Sequence, residues 1–258
     1  MKWPPHAHLV RTLVVRELTL RYRGSMLGWA WALITPLVTV AVLSFVFGHV
    51  LGVRWPGAQA TTYPVFLFSG LVVHGFLSDV IVRAPTLVTG NPNYVHKTPF
   101  PLAALAWIMI CELLVPLVVG AVIVMAVALL LGFDLEATVL LAPLVLAPVV
   151  GYGLALGWLI AALGVYLRDL MHVTTLIATG MLFFSPVLYP LSSVPEFLQP
   201  FYYLNPTTAV VENFRAVALS GETPGAVALI SPLAAATLIA LCCYALFRRL
   251  EKGFVDVM

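Results

Sequence analysis

The sequence predicts an all-α integral membrane protein. It has six transmembrane helices, an N-terminal amphipathic helix lying along the membrane interface, and re-entrant helices before the last span. Three observations predict this class. Hydrophobic residues make up 62% of the 258 residues and charged residues only 9%, against roughly 25% charged in a soluble domain. Such a chain cannot cover itself with polar surface in water, so its solvent is lipid. The charges also leave long gaps, at 24–53, 55–78, 113–133, 137–167, 170–195 and 223–247. Each gap holds a helix of about 20 residues, the length that crosses a hydrocarbon core roughly 30 Å thick. Finally, basic residues collect on one side of the resulting map.

Residues 7–24 form the interfacial helix. Thr12, Arg16, Thr19 and Arg23 recur at spacings of four, three and four, which puts them on one stripe, and Leu9, Val10, Leu13, Val14 and Leu18 cover much of the rest. The stretch "RYRGSMLGWAW" (21–31) then passes from charge to apolar residues through Gly24 and Ser25. Spans follow near 29–51, 63–83, 105–131, 139–165, 171–190 and 226–247. The fourth contains "GYGLALGWLIAALG", whose small residues suit close packing between helices in lipid. The whole of 1–258 reads as one transmembrane domain.

Eleven of the thirteen lysines and arginines fall on one side of this map, leaving Arg54 and Arg215 on the other, while Asp134, Glu136, Glu196, Glu212 and Glu222 sit in the opposite loops. Both termini are therefore expected in the cytoplasm. The N-terminus lacks the compact apolar core and small-residue cleavage site of a signal peptide.

Residues 191–220 are the least regular part of the chain. Pro186, Pro190, Pro195, Pro200 and Pro206 punctuate this region, and only 15 residues separate Glu196 from Glu212. Neither piece after Pro190 is long enough to cross, yet both are too apolar for an ordinary loop. Short helices dipping into the outer leaflet fit, because broken helices are tolerated at depth when protein surrounds them. Asn205 and Pro206 form an N-cap and first-turn pair, and Gly221 can end the helix they start. This region is the expected outer gate, with Tyr202 and Tyr203 on it.

No catalytic set emerges. The lysines, at 2, 97 and 252, lie in no phosphate-binding glycine loop, and the metalloprotease, redox and nucleophile-elbow spacings are absent. The three cysteines lie in apolar runs and read as small buried hydrophobes. His74 and Glu112 are the most interesting polar groups inside spans, with Asp79 nearer an end, and an ionisable group in a membrane is a functional candidate by default. Glu112 can be read as part of a proton relay or, more simply, as a helix-packing group. The many aromatics read mostly as interfacial belts and core packing; a ladder of rings stacking on sugar faces is the sharper alternative.

Several stretches, taken in order, resemble the ABC-2 type permeases that export lipid-linked polysaccharides. "LTLRYRGSMLGWAWALITPL" resembles their basic run leading into span one. "YLRDLMHVTTLIATGMLFFSPVLYPLSSVPE" resembles the Arg-Asp pair before span five and the S-P-V-x-Y-P that follows it. "YYLNPTTAVVENFRAVALSG" resembles the block before the last span. Residues 84–101 resemble the cytoplasmic coupling segment, departing from it by a "GNPN" turn.

The resemblance implies a transporter subunit that is no enzyme, working as a homodimer with two copies of a separate ATPase that binds ATP and Mg²⁺. The chain itself would carry no cofactor or metal and bind no nucleic acid. The cargo would be an O-antigen, teichoic acid or capsule-like polymer on polyprenyl pyrophosphate, crossing the cytoplasmic (inner) membrane. Arg21 and Arg23 would lie near the lipid pyrophosphate, and Trp29, Phe183, Phe184 and Tyr189 along the transport pathway. Asn91, Tyr94, His96, Lys97, Arg168 and Asp169 would face the ATPase. The competing readings are an ABC-2 exporter of a drug or small lipid, a membrane enzyme acting on polyprenol-linked sugars, and a proton-coupled transporter using Glu112.

Overall fold

The computed structural model describes residues 12–16, 19, 26–52, 55, 62–92, 94 and 100–257. Among the described residues, five helices are long and apolar enough to cross a membrane. Gly28 takes a positive φ of 50° at the head of a 3-10 turn, Gly28–Ala30, that leads into α1, Trp31–Leu43, and α1 runs on as a π-helical turn, Ser44–Val50. None of Leu33–Val50 is buried, so α1 stands against the bundle rather than within it.

The central helix is α2, Tyr63–Arg83, started by Pro64 in its first turn, where a missing N–H costs nothing. It is apolar and largely buried, as a helix surrounded by others must be. Against it pack α3, Ala104–Leu130, and α4, Ala142–Tyr166. The glycine run of α4 does what its composition predicts. A Cβ on Gly153 would lie 2.8 Å from both Ile110 and Phe76, and one on Gly151 would lie 2.9 Å from Ala236. Trp158 adds a buried hydrogen bond from its indole N–H to the Ala103 carbonyl, 3.0 Å.

The fifth helix, α5, is Leu170–Phe183, shorter than the span expected over 171–190. Its 14 residues rise about 21 Å, less than a bilayer core. The reason is local: the residue before a proline is disfavoured in a helix, and Pro186 lacks the N–H to continue one. Beyond the turn lie two short helices, α6, Gln199–Leu204, and α7, Pro206–Leu219. Next comes α8, Ala226–Leu250, which runs along α4 in the most extensive helix pairing of the fold, and finally the short α9, Phe254–Val257. The start of α7 matches expectation, since the Asn205 side chain accepts from the Thr207 N–H at 2.9 Å. At its end Gly221 turns the chain at φ 66°, and the Glu222 N–H returns to the Ala216 carbonyl.

Pro232 lies inside α8 and cannot donate to the carbonyl of Ala228 four residues back. Asn213 of α7 supplies the missing donor at 2.8 Å. A side chain of the neighbouring helix thus replaces the donor that the proline lacks. Of the predicted interfacial helix, residues 12–16 are helical, and Leu13 is buried in the core formed by α2, α3 and α4.

Candidate functional site

Polar groups gather at two places, one at each end of the bundle. The end away from most basic residues is built around Arg215. Helix α7 turns Val210, Val211, Phe214 and Val217 into the core, and Arg215 goes in with them at 3% exposure. Its guanidinium donates to Ser69 Oγ at 3.0 Å, the Phe66 carbonyl at 2.8 Å, the Pro186 carbonyl at 2.6 Å and Glu212 at 3.0 Å. A longer contact of 3.4 Å reaches the Val187 carbonyl, and the Trp55 ring lies 4.4 Å away. The Glu212 carboxylate answers the charge of the buried guanidinium.

This arrangement solves a problem set by the sequence. The 184–190 turn has left the helix, so its carbonyls need donors from elsewhere. Arg215 serves Pro186 and Val187, and the Tyr63 hydroxyl serves Leu188 at 2.9 Å. Gly70 makes the approach possible, because a Cβ there would come within 2.9 Å of the Arg215 guanidinium and 3.0 Å of Val187 Cα. The last carbonyls of α5 are capped as well. Asn205 Nδ2 donates to the Phe184 carbonyl at 2.9 Å, while the Tyr189 and Tyr202 hydroxyls, 2.5 Å apart, both reach the Phe183 carbonyl.

The expected gate and pathway residues therefore divide. Tyr202 is buried and Tyr189 turns inward, so both act as caps. Tyr203 is exposed, as are Phe183 and Phe184. Arg21, Arg23, His96, Lys97 and the side chain of Trp29 lie outside the described residues.

At the basic end, Arg83 closes α2 and grips Glu112 of α3 with both arms, at 3.0 and 2.7 Å. The carboxylate is 2% exposed and the arginine side chain 39%. This two-pronged geometry is the strong form of an ion pair. Glu112 is thus engaged in helix packing, the simpler of the two roles the sequence allowed. Pro116, four residues on, leaves the Glu112 backbone carbonyl without its usual helical donor.

Residues 8–219 match the ABC-2 type transporter family. The chain belongs to that family. Among its relatives, the O-antigen export system permease protein RfbA of Myxococcus xanthus is 26% identical over 250 residues, covering 96% of this chain and 94% of the relative. The polysialic acid transport protein KpsM of Escherichia coli is 25% identical over 250 residues, with 95% of each chain covered. The inner membrane transport permease YadH of Escherichia coli K12 is 22% identical over 193 residues, 72% of this chain and 75% of the relative.

In this ABC-2 chain the segment after α2 folds back on the bundle. A 3-10 turn at Ala84–Thr86 leads into bends closed by Gly90 N–H to the Thr86 carbonyl and Asn91 N–H to the Val88 carbonyl. Asn91 Nδ2 donates to the Leu87 carbonyl at 3.0 Å, and Tyr94 packs on Phe100 at 4.8 Å. These two expected coupling residues shape the turn. Arg168 and Asp169 stay exposed at the start of α5.

A cleft of about 490 Å³ runs between the two regions, lined by Pro85, Thr86, Thr89, Pro92, Arg168 and Met171 among others. The turn is fixed to α4 at one point: a Cβ on Gly164 would lie 2.2 Å from the Pro85 carbonyl oxygen. Only glycine permits this contact, so the turn and α4 are seated directly on one another.

Arg215 and the Arg83–Glu112 pair were not singled out as a site by sequence reasoning. The available signals were an arginine on the side of the map that carries few, with Glu212 one turn before it, and two opposite charges at neighbouring ends of consecutive apolar gaps.

Proposed function

We propose that this chain is the membrane-spanning permease subunit of an ATP-driven exporter that moves a polyprenyl-pyrophosphate-linked polysaccharide out across the cytoplasmic (inner) membrane. One observation carries the reading: relatives aligned over about 95% of both chains are named an O-antigen export system permease protein and a polysialic acid transport protein. The excess of lysine and arginine supports a basic end facing the cytoplasm, with both termini there. On this reading the whole of 1–258 is one transmembrane domain, α5 with the 184–190 turn completes a sixth crossing, and α6 and α7 are re-entrant helices forming the outer gate.

Two copies of the chain bind two copies of an ATPase subunit, which holds ATP and Mg²⁺. The cleft between Pro85 and Arg168 receives that subunit, and the Gly164–Pro85 contact passes its motion to α4. Arg21 and Arg23 meet the lipid pyrophosphate as the cargo enters, and the exposed rings of Phe183 and Phe184 face the pathway.

The test is deletion of the gene followed by complementation, with the surface polysaccharide measured by gel and composition. Loss on deletion and recovery with the wild type support the reading, as does copurification of an ATPase subunit; an unchanged surface polymer rejects it. The alternative cargo is a drug or small lipid. A deletion strain that gains drug sensitivity with its polymer intact would favour it.

A further inference from the structure

A second cleft, of about 530 Å³, opens between α1, α2 and α3. It exists because α1 buries none of its Leu33–Val50 stretch against the bundle. Its walls carry Thr35 and Thr39 from α1, and His74 and Ser78 from α2. Each pair is spaced i, i+4, so each shares one face of its helix. Polar groups at this depth are costly and mark substrate paths.

His74 lies about 16 Å along α2 from Tyr63 and about 14 Å from Arg83, close to the middle of the helix. It is 7% exposed, and its Nδ1 is buried without a hydrogen-bond partner among the described residues. A neutral imidazole has one donor and one acceptor nitrogen, and a hydroxyl, which both donates and accepts, satisfies either tautomer. Thr39 gives its own proton to the Thr35 carbonyl at 2.9 Å, leaving its oxygen lone pairs as acceptors. No lysine or arginine is among the described residues lining the cleft. Trp31 and Phe68 supply ring faces.

We propose that this cleft binds the neutral, hydroxyl-rich sugar units of the exported polymer, with His74 as the deep hydrogen-bonding group. Ser78 forms a further rung toward the basic end, and Thr39 stands on the α1 wall. The proposal rests on the polysaccharide-export reading and adds to it a binding wall separate from the lipid pyrophosphate contacts.

In the complemented deletion strain, His74→Leu should lower surface polymer about tenfold at an unchanged membrane level of the protein, the effect of losing roughly one hydrogen bond. His74→Gln, which keeps a donor and an acceptor, should restore most of it. Wild-type export by His74→Leu overturns the proposal, as does an equal fall in both variants that follows the protein level. If the wild-type gene itself leaves the polymer unchanged, it is the export reading that has failed. A second measurement uses Ser78→Cys with Cys111, Cys242 and Cys243 replaced by alanine, in inside-out vesicles containing the ATPase subunit. A charged, membrane-impermeant thiol reagent should modify it, because a sugar path is wet. Failure to react, as a cleft filled by lipid tails gives, overturns the assignment.

Discussion

Arg215 and Arg83 mark the two ends of the bundle and are held in opposite ways. Arg215 is almost wholly buried and spends most of its donors on main-chain carbonyls of α2 and of the 184–190 turn. Arg83 is partly exposed and spends both arms on one carboxylate. Carbonyls of a folded backbone cannot move away without unfolding something, whereas a side-chain partner needs only a rotamer change to let go. The first arrangement is a fixed knot, and the second is a clasp that can open while the helices stay intact.

The largest effect should follow from untying the knot. Arg215→Ala leaves several buried carbonyls without donors and should destabilise the protein by about 4 kcal/mol in a denaturant titration in detergent. Arg215→Lys should recover less than half of that, because a single ammonium cannot reach the donors' separate targets.

The clasp should respond asymmetrically. Arg83→Ala abandons a buried carboxylate and should cost about 3 kcal/mol, while Glu112→Gln leaves an arginine that already reaches solvent and should cost about 1 kcal/mol. Equal losses would show that the burial difference between the partners does not govern the pair.

Gly164→Ala drives a methyl group into the Pro85 carbonyl and should cost about 2 kcal/mol. If the turn passes motion to α4, the same change should also uncouple ATP hydrolysis from export, measured as ATPase activity retained with polymer lost. Smallest is Asn205→Ala, which removes both a helix cap and a donor to Phe184 and should cost about 1 kcal/mol in the same titration.

Much of the fold can be read from the sequence, because the bilayer imposes a length and a polarity that only long apolar helices meet. The second span, expected over 63–83, appears as Tyr63–Arg83, and the third falls within a residue of its expected bounds. The fifth helix stops short of the span expected over 171–190 because apolar composition runs on past Phe183, while the backbone rule that stops the helix is carried by Ser185 and Pro186 alone. The N-cap at Asn205 was legible because capping is local.

The site was less legible. Tyr189, expected on the pathway, and Tyr202, expected on the gate, also cap α5, a contact that only the folded turn shows. Arg215 reads as one charge on a topology map until Phe66 and Pro186, far away in sequence, are brought to it.

Pro232 has one further implication. The Ala228 carbonyl, which the proline cannot serve, is held by Asn213, so lifting α7 from α8 would cost that carbonyl its donor. The two helices therefore behave as a lever and its rider: a tilt of α8, which lies along α4 for most of its length, carries α7 and its arginine with it. A displacement of α7 is then a movement of this paired unit, not the swing of a loose flap.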